Sequence, residues 1–153
     1  MEIGCISPEQ PPICKQFFDL TSNQRSIEIK RYDLDTQLEI QVCAFGQHAG
    51  PSFSFEIAAA GPTIIPKLSE RLELLNEKPG YLGYLSYHDE LETLAILDVF
   101  HALAIDGVLK GQTQLLPELR KAVKRLDGWT RRSGEEHLRA VEDDIFDRPM
   151  QPA

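Results

Sequence analysis

One stretch of this chain restricts its fold more than any other. From Asp89 to about Asp106, apolar residues repeat at helical spacing on two arcs: Leu91, Leu94, Leu97 and Ile105 on one, Ile96, Val99, Phe100 and Leu103 on the other. A helix apolar nearly all round has no face to give to water, so it is expected at the centre, buried on every side. The segments around it supply partners. Pro66 suits a first helical turn, Leu68, Leu72 and Leu75 recur at helical spacing, and Lys78-Pro79-Gly80 stops the pattern. Gly107 and Gly111 bracket a loop, after which a helix opens at Thr113 or Leu116 with Leu116, Leu119, Val123 and Leu126 on its inner arc. A last helix is expected from Ser133-Gly134-Glu135-Glu136, which has capping-box spacing. It runs on Leu138, Val141 and Ile145 to about Asp147, and Pro149 ends it.

The first half reads as strands. Ile27 and Ile29 alternate with Glu28 and Lys30, and Leu38, Ile40, Val42 and Ala44 alternate with Glu39, Gln41 and Cys43. Asp33-Leu34-Asp35-Thr36 supplies the turn between them, and Phe53, Phe55 and Ile57 share a side in a third strand after a Gly46 to Gly50 loop. Tyr81 to Tyr87 reads as a fourth strand or as an ordered lead-in to the next helix. The expected fold class is therefore α+β: an N-terminal antiparallel β-meander of three to four strands, then about four helices packed on the sheet. A length of 153 residues suits a single domain over residues 1–153, with residues 1–20 as a Pro-rich N-terminal arm and 149–153 as a short tail.

Charge narrows the partners. The chain carries a net −8, yet Arg120, Lys121, Lys124, Arg125, Arg131 and Arg132 face only Glu118 and Asp127 between residues 111 and 132. Beyond them Glu135, Glu136, Glu142, Asp143, Asp144 and Asp147 outnumber Arg139 and Arg148. An acidic molecule is a poor match for nucleic acid or anionic membrane, both of which reward a positive face. No apolar run approaches the roughly 18 residues of a membrane span, and the first ten residues show neither the basic nor the apolar region of a secretion signal, so none is expected. Cys5, Cys14 and Cys43 cannot all pair within one chain, so reduced thiols and a cytoplasmic location are expected; a Cys5 to Cys14 bridge is the alternative in an oxidising compartment.

Three groups of residues carry chemistry. Asp98 and His101, three apart on the central helix, project along one side, and a carboxylate that orients an imidazole is what a general base needs. A structural pair, satisfied by each other or by Arg120 or Lys124 from the next helix, is the plainer reading. His88, Asp89 and Glu90 are metal-capable but adjacent in sequence, and Glu135, His137 and Glu142 point in different directions around the last helix, so neither set is expected to chelate. Tyr81, Tyr84 and Tyr87 beside Asp89, Glu90 and Glu92 combine anchoring rings with steering charge, as partner-binding surfaces do; Asp143, Asp144 and Asp147 form a second such patch. No glycine loop for phosphate and no serine elbow accompanies them.

These features lead to an expectation of a small acidic protein that binds another protein with a basic surface, in the manner of an immunity or antitoxin protein that inhibits a toxin. No cofactor or metal is expected, and homo-oligomerisation is left open. The alternative is a small enzyme or ligand-binding domain that uses Asp98 and His101 in a pocket between sheet and helices.

Overall fold

A computed structural model describes residues 12–46, 52–80, 82 and 84–148. Among these residues the fold is helical and contains no strand, so the α+β expectation, with its meander and its sheet, is overturned. Eight α-helices follow in order: α1 (Pro12–Phe18), α2 (Ser22–Glu28), α3 (Leu34–Gly46), α4 (Ser54–Ala58), α5 (Ile65–Asn76), α6 (Tyr87–Ile105), α7 (Leu116–Lys124) and α8 (Gly128–Ile145). Tyr81, residues 1–11, the loop residues 47–50 and the tail 149–153 lie outside the described residues.

The sequence that imitated strands is helical for identifiable reasons. In α3 the alternating set Leu38, Ile40, Val42 and Ala44 is buried, but so are Leu34, Gln37 and Gln41. What stays exposed is Asp35, Glu39 and Gly46, spaced four and seven apart, which is a helical stripe. The two glutamines mislead because they are polar residues with inward work: Gln37 Nε2 donates to the Ile29 carbonyl at 2.9 Å, and Gln41 Oε1 accepts from the Phe53 backbone N–H at 2.6 Å. Gln41 satisfies a backbone N–H that the short α4 leaves open, and Gln37 adds a second bond to a carbonyl that also accepts from Tyr32 N–H. In α4, Phe53 and Ile57 are buried four residues apart while Phe55 is 60% exposed, which breaks the alternation. Thr21 and Gln24 close a capping box on α2, leaving Ile27 exposed and Ile29 in the core.

The central helix is where its sequence puts it. α6 buries Leu91, Leu94, Leu97, Ile96, Val99, Phe100 and Leu103, and packs against α3, α4, α5 and α8. Of the two apolar arcs, only Ile105, at the end of the helix, is exposed. Ser86 caps α6 by accepting from Asp89 N–H. The last helix starts earlier than the Ser133 box implies, because Asp127 and Thr130 form the capping box that is used. Ser133 and Gly134 are thereby placed inside α8, with Gly134 buried where α8 passes closest to the core. One buried cluster draws on α1 and on α3 to α8, and it includes Cys14 and Phe17 of the Pro-rich segment. Phe17 meets Phe53 edge-on at 5.2 Å between ring centres. That contact and the Gln41 bond together fix the chain at Ser52, immediately ahead of α4.

Candidate functional site

The long α6 and α8 lie against each other, and a polar cluster sits midway along their seam. Asp98 and His101 come from adjacent turns of α6. His137 arrives from α8, one helical turn after Gly134 and one before Val141, on the inward phase of that helix. Its Nδ1 lies 2.8 Å from His101 Nδ1, and its Nε2 lies 3.8 Å from Asp98 Oδ1. Ser52 Oγ donates to the other carboxylate oxygen, Asp98 Oδ2, at 2.7 Å. All three ring or carboxylate residues are partly buried, with the Asp98 side chain 18% and the His137 side chain 17% exposed.

The electrostatics of the cluster follow from this half-burial. Desolvation holds His137 below the ordinary imidazole pKa, the Asp98 charge acts in the opposite direction, and His101 adds to the lowering. Two imidazole nitrogens at 2.8 Å require one ring to donate and the other to accept, so the arrangement shown fits at most one imidazolium. Asp98 is not neutralised by Arg120 or Lys124, as the structural reading of the sequence supposed. Arg120 instead pairs with Glu142 at 3.0 Å, across from α7 to α8.

The order of contacts limits the chemistry. In nucleophilic hydrolysis the serine hydroxyl hands its proton to a histidine that an acid orients. Here the order runs Ser52, Asp98, His137, His101, so the hydroxyl is engaged by the carboxylate. The arrangement offers a hydrogen-bonded carboxylate and two imidazoles converging on one small volume, with one ligand atom from each of Asp98, His101 and His137 lying within 4.8 Å of the others. Glu135 and Glu136 face solvent while His137 faces α6, so His137 joins a cluster with Asp98 and His101 that the sequence reading does not assemble. The signal was present in the sequence as a histidine on the same stripe as Thr130, Gly134 and Val141.

The other candidates fare differently. Tyr84 and Tyr87 are 45% and 53% exposed. Their acidic neighbours are engaged within the chain: Asp89 with Lys78 at 3.1 Å, Glu90 with the Asp127 backbone N–H at 3.0 Å and with Thr130, and Glu92 with Arg71. In the second acidic patch Asp143 pairs with Arg148 at 3.1 Å and Asp147 with Lys110 at 3.3 Å. Asp144 is buried, accepting from the Leu109 backbone N–H at 2.8 Å and from Lys110 at 3.1 Å. Its role is to hold the α6 to α7 connection on the end of α8.

His88, Asp89 and Glu92 also gather within ligand distance of one another. Lys78 and Arg71 already neutralise the two acids, and the His88 side chain is 73% exposed, so a cation gains little there. With no sheet, the pocket expected between sheet and helices does not exist in that form. A cleft of about 410 Å³ opens between α5 and α7 over Phe100, and neither Asp98 nor His101 lines it. No described helix is long and apolar enough to cross a membrane. The chain matches no protein-family model, no curated protein and no solved structure.

Proposed function

We propose that this chain is a ligand-binding helical domain whose site is the seam between α6 and α8, the ligand held by Asp98, His101 and His137. The observation that carries this reading is the convergence of three ligand-capable side chains from two helices, one of them 36 residues away from its nearest partner in sequence. Partly buried polar groups are retained in a seam between helices at a cost in desolvation, and a site offsets that cost with function. Native mass spectrometry of the full chain, purified without chelator or added ligand, tests it. The expected spectrum contains a non-covalent adduct that is absent under denaturing conditions and absent from the Asp98→Asn and His137→Ala variants. A bare polypeptide mass for the wild type, or an adduct that both variants retain, contradicts the reading.

A second reading keeps the protein-partner function. It is favoured by the exposure of Leu82, Tyr84, Tyr87 and Trp129, large apolar or aromatic side chains on a small protein. The acids meant to steer a basic partner are weaker support, since their charges are paired at short range inside the chain. In this reading Tyr87→Ala speeds release of a purified basic partner without altering the seam, whereas the seam reading expects Tyr87→Ala to leave the adduct unchanged.

A further inference from the structure

The donor set at the seam identifies a ligand class. We propose that Asp98, His101 and His137 bind one divalent transition-metal ion of the zinc class, through two imidazole nitrogens and one carboxylate oxygen. This rests on the reading of the α6 and α8 seam as the ligand site. Two nitrogens and one oxygen form a borderline donor set that suits zinc, cobalt or ferrous iron, while magnesium and calcium ask for oxygen shells. Three protein ligands leave a further position for water or for a substrate atom, the arrangement that distinguishes reactive metal sites from closed structural ones.

Three features argue for a built site. The first is reach: a zinc ion takes nitrogen and oxygen donors at about 2.0–2.2 Å, so tetrahedral donors stand roughly 3.3 Å apart. One donor atom from each of Asp98, His101 and His137 lies within 4.8 Å of the other two, and the two Nδ1 atoms stand 2.8 Å apart, so the three side chains reach into one small volume. The second feature is support behind a ligand. Ser52 holds Asp98 Oδ2, which fixes the carboxylate and leaves Oδ1 directed at His137; outer hydrogen bonds of this kind orient ligands at metal sites. Ser52 is itself fixed by the Phe53 anchor, through Gln41 and Phe17.

The third feature is the absence of competing charge in the described contacts of the cluster. At His88, Asp89 and Glu92 a lysine and an arginine occupy the carboxylates. At the seam, the hydrogen-bonding and ionic partners of Asp98 are Ser52 and His137, neither of which is a fixed cation. A bound dication supplies the positive charge that this half-buried carboxylate lacks. It also joins α6 to α8, so binding contributes directly to the stability of the folded chain.

The test uses the full chain, stripped with a chelator and dialysed at pH 7.5 against zinc(II), and separately against cobalt(II). One equivalent of zinc per chain is expected, with affinity at least about 100-fold lower in His101→Ala and in His137→Ala, and about 10-fold lower in Ser52→Ala. His88→Ala, at the other cluster, is expected to bind as wild type. The cobalt complex should show visible ligand-field bands of nitrogen and oxygen coordination, a readout on the wild type that does not depend on any variant folding. Far-UV circular dichroism identifies a variant that loses metal only because it unfolds, and His137→Gln, closer in shape, then replaces it. Lack of stoichiometric zinc in the wild type, or retention of zinc by a folded His101→Ala, His137→Ala double variant, overturns the proposal. A non-metal adduct in the native spectrum that Asp98→Asn removes overturns the metal while leaving the ligand site standing; the absence of both adduct and zinc ends both.

Discussion

Asp144 illustrates at the scale of single residues how differently two acids of one patch behave. Its carboxylate is buried and accepts from a backbone N–H and from Lys110, whereas Asp147 three residues on is largely exposed and shares the same lysine. Removing a buried acceptor strands the Leu109 N–H, so Asp144→Ala is expected to cost about 2–3 kcal/mol in chemical denaturation. Asp147 has φ of 55°, a conformation asparagine tolerates, and Asp147→Asn is expected to cost under about 0.5 kcal/mol. Sequence gave both the same label because acidity is visible in a letter and burial is not. Asp33 caps α3: the Thr36 side chain, and then its backbone N–H, which donates at 2.8 Å, hold the Asp33 carboxyl below the ordinary value of 3.8. A depressed carboxylate pKa contributes stability above the unfolded value and loses it as pH falls through the folded one. Asp33→Asn keeps a capping oxygen without the charge. Urea titrations of the two proteins should therefore diverge at pH 6 and converge towards pH 2.5; an unchanged difference across that range would show that the charge contributes nothing.

Between elements, legibility depended on whether a helix buries one stripe or several. α5, α6 and α7 are legible from spacing alone, since Leu68, Leu72 and Leu75, the two arcs of α6 except Ile105, and Leu116, Leu119 and Val123 fall inside. α3 was misread because it is buried on more than one side, so that a period of two survives within a helical pattern. Inward glutamines completed the illusion. α8 was read with a late start, and with it the site was lost: the inward stripe of Thr130, Gly134, His137 and Val141 becomes visible only when the helix begins at Gly128. Gly134 is the tightest point of that stripe. A Cβ there would stand 2.7 Å from Leu126 Cδ1 and 3.4 Å from Leu97 Cδ1, so α8 approaches the core closely only because no side chain intervenes. Gly134→Val is expected to lower stability by about 1–3 kcal/mol and to weaken zinc binding, as it pushes His137 away from α6. Wild-type stability together with wild-type metal affinity would show that the approach is not needed.

For the whole molecule, one helix organises everything else: α6 touches α3, α4, α5 and α8, and the seam cluster is built on it, with the segment ahead of α4 and the α8 face each contributing a residue. Half of that site could be read from the sequence, since Asp98 and His101 are one turn apart. The other half depends on tertiary packing that brings together positions 36 residues apart. The central claim is that His101 and His137 act together while His88 stands aside, and long-range ¹H–¹⁵N correlation of the histidine ring nitrogens tests it most directly. On adding one equivalent of zinc(II) to the metal-free chain, the account predicts that the ring nitrogens of His101 and His137 shift together and saturate at one equivalent, while those of His88 do not move. Saturating shifts at His88 alone, or no saturating shift at His101 and His137, would contradict it.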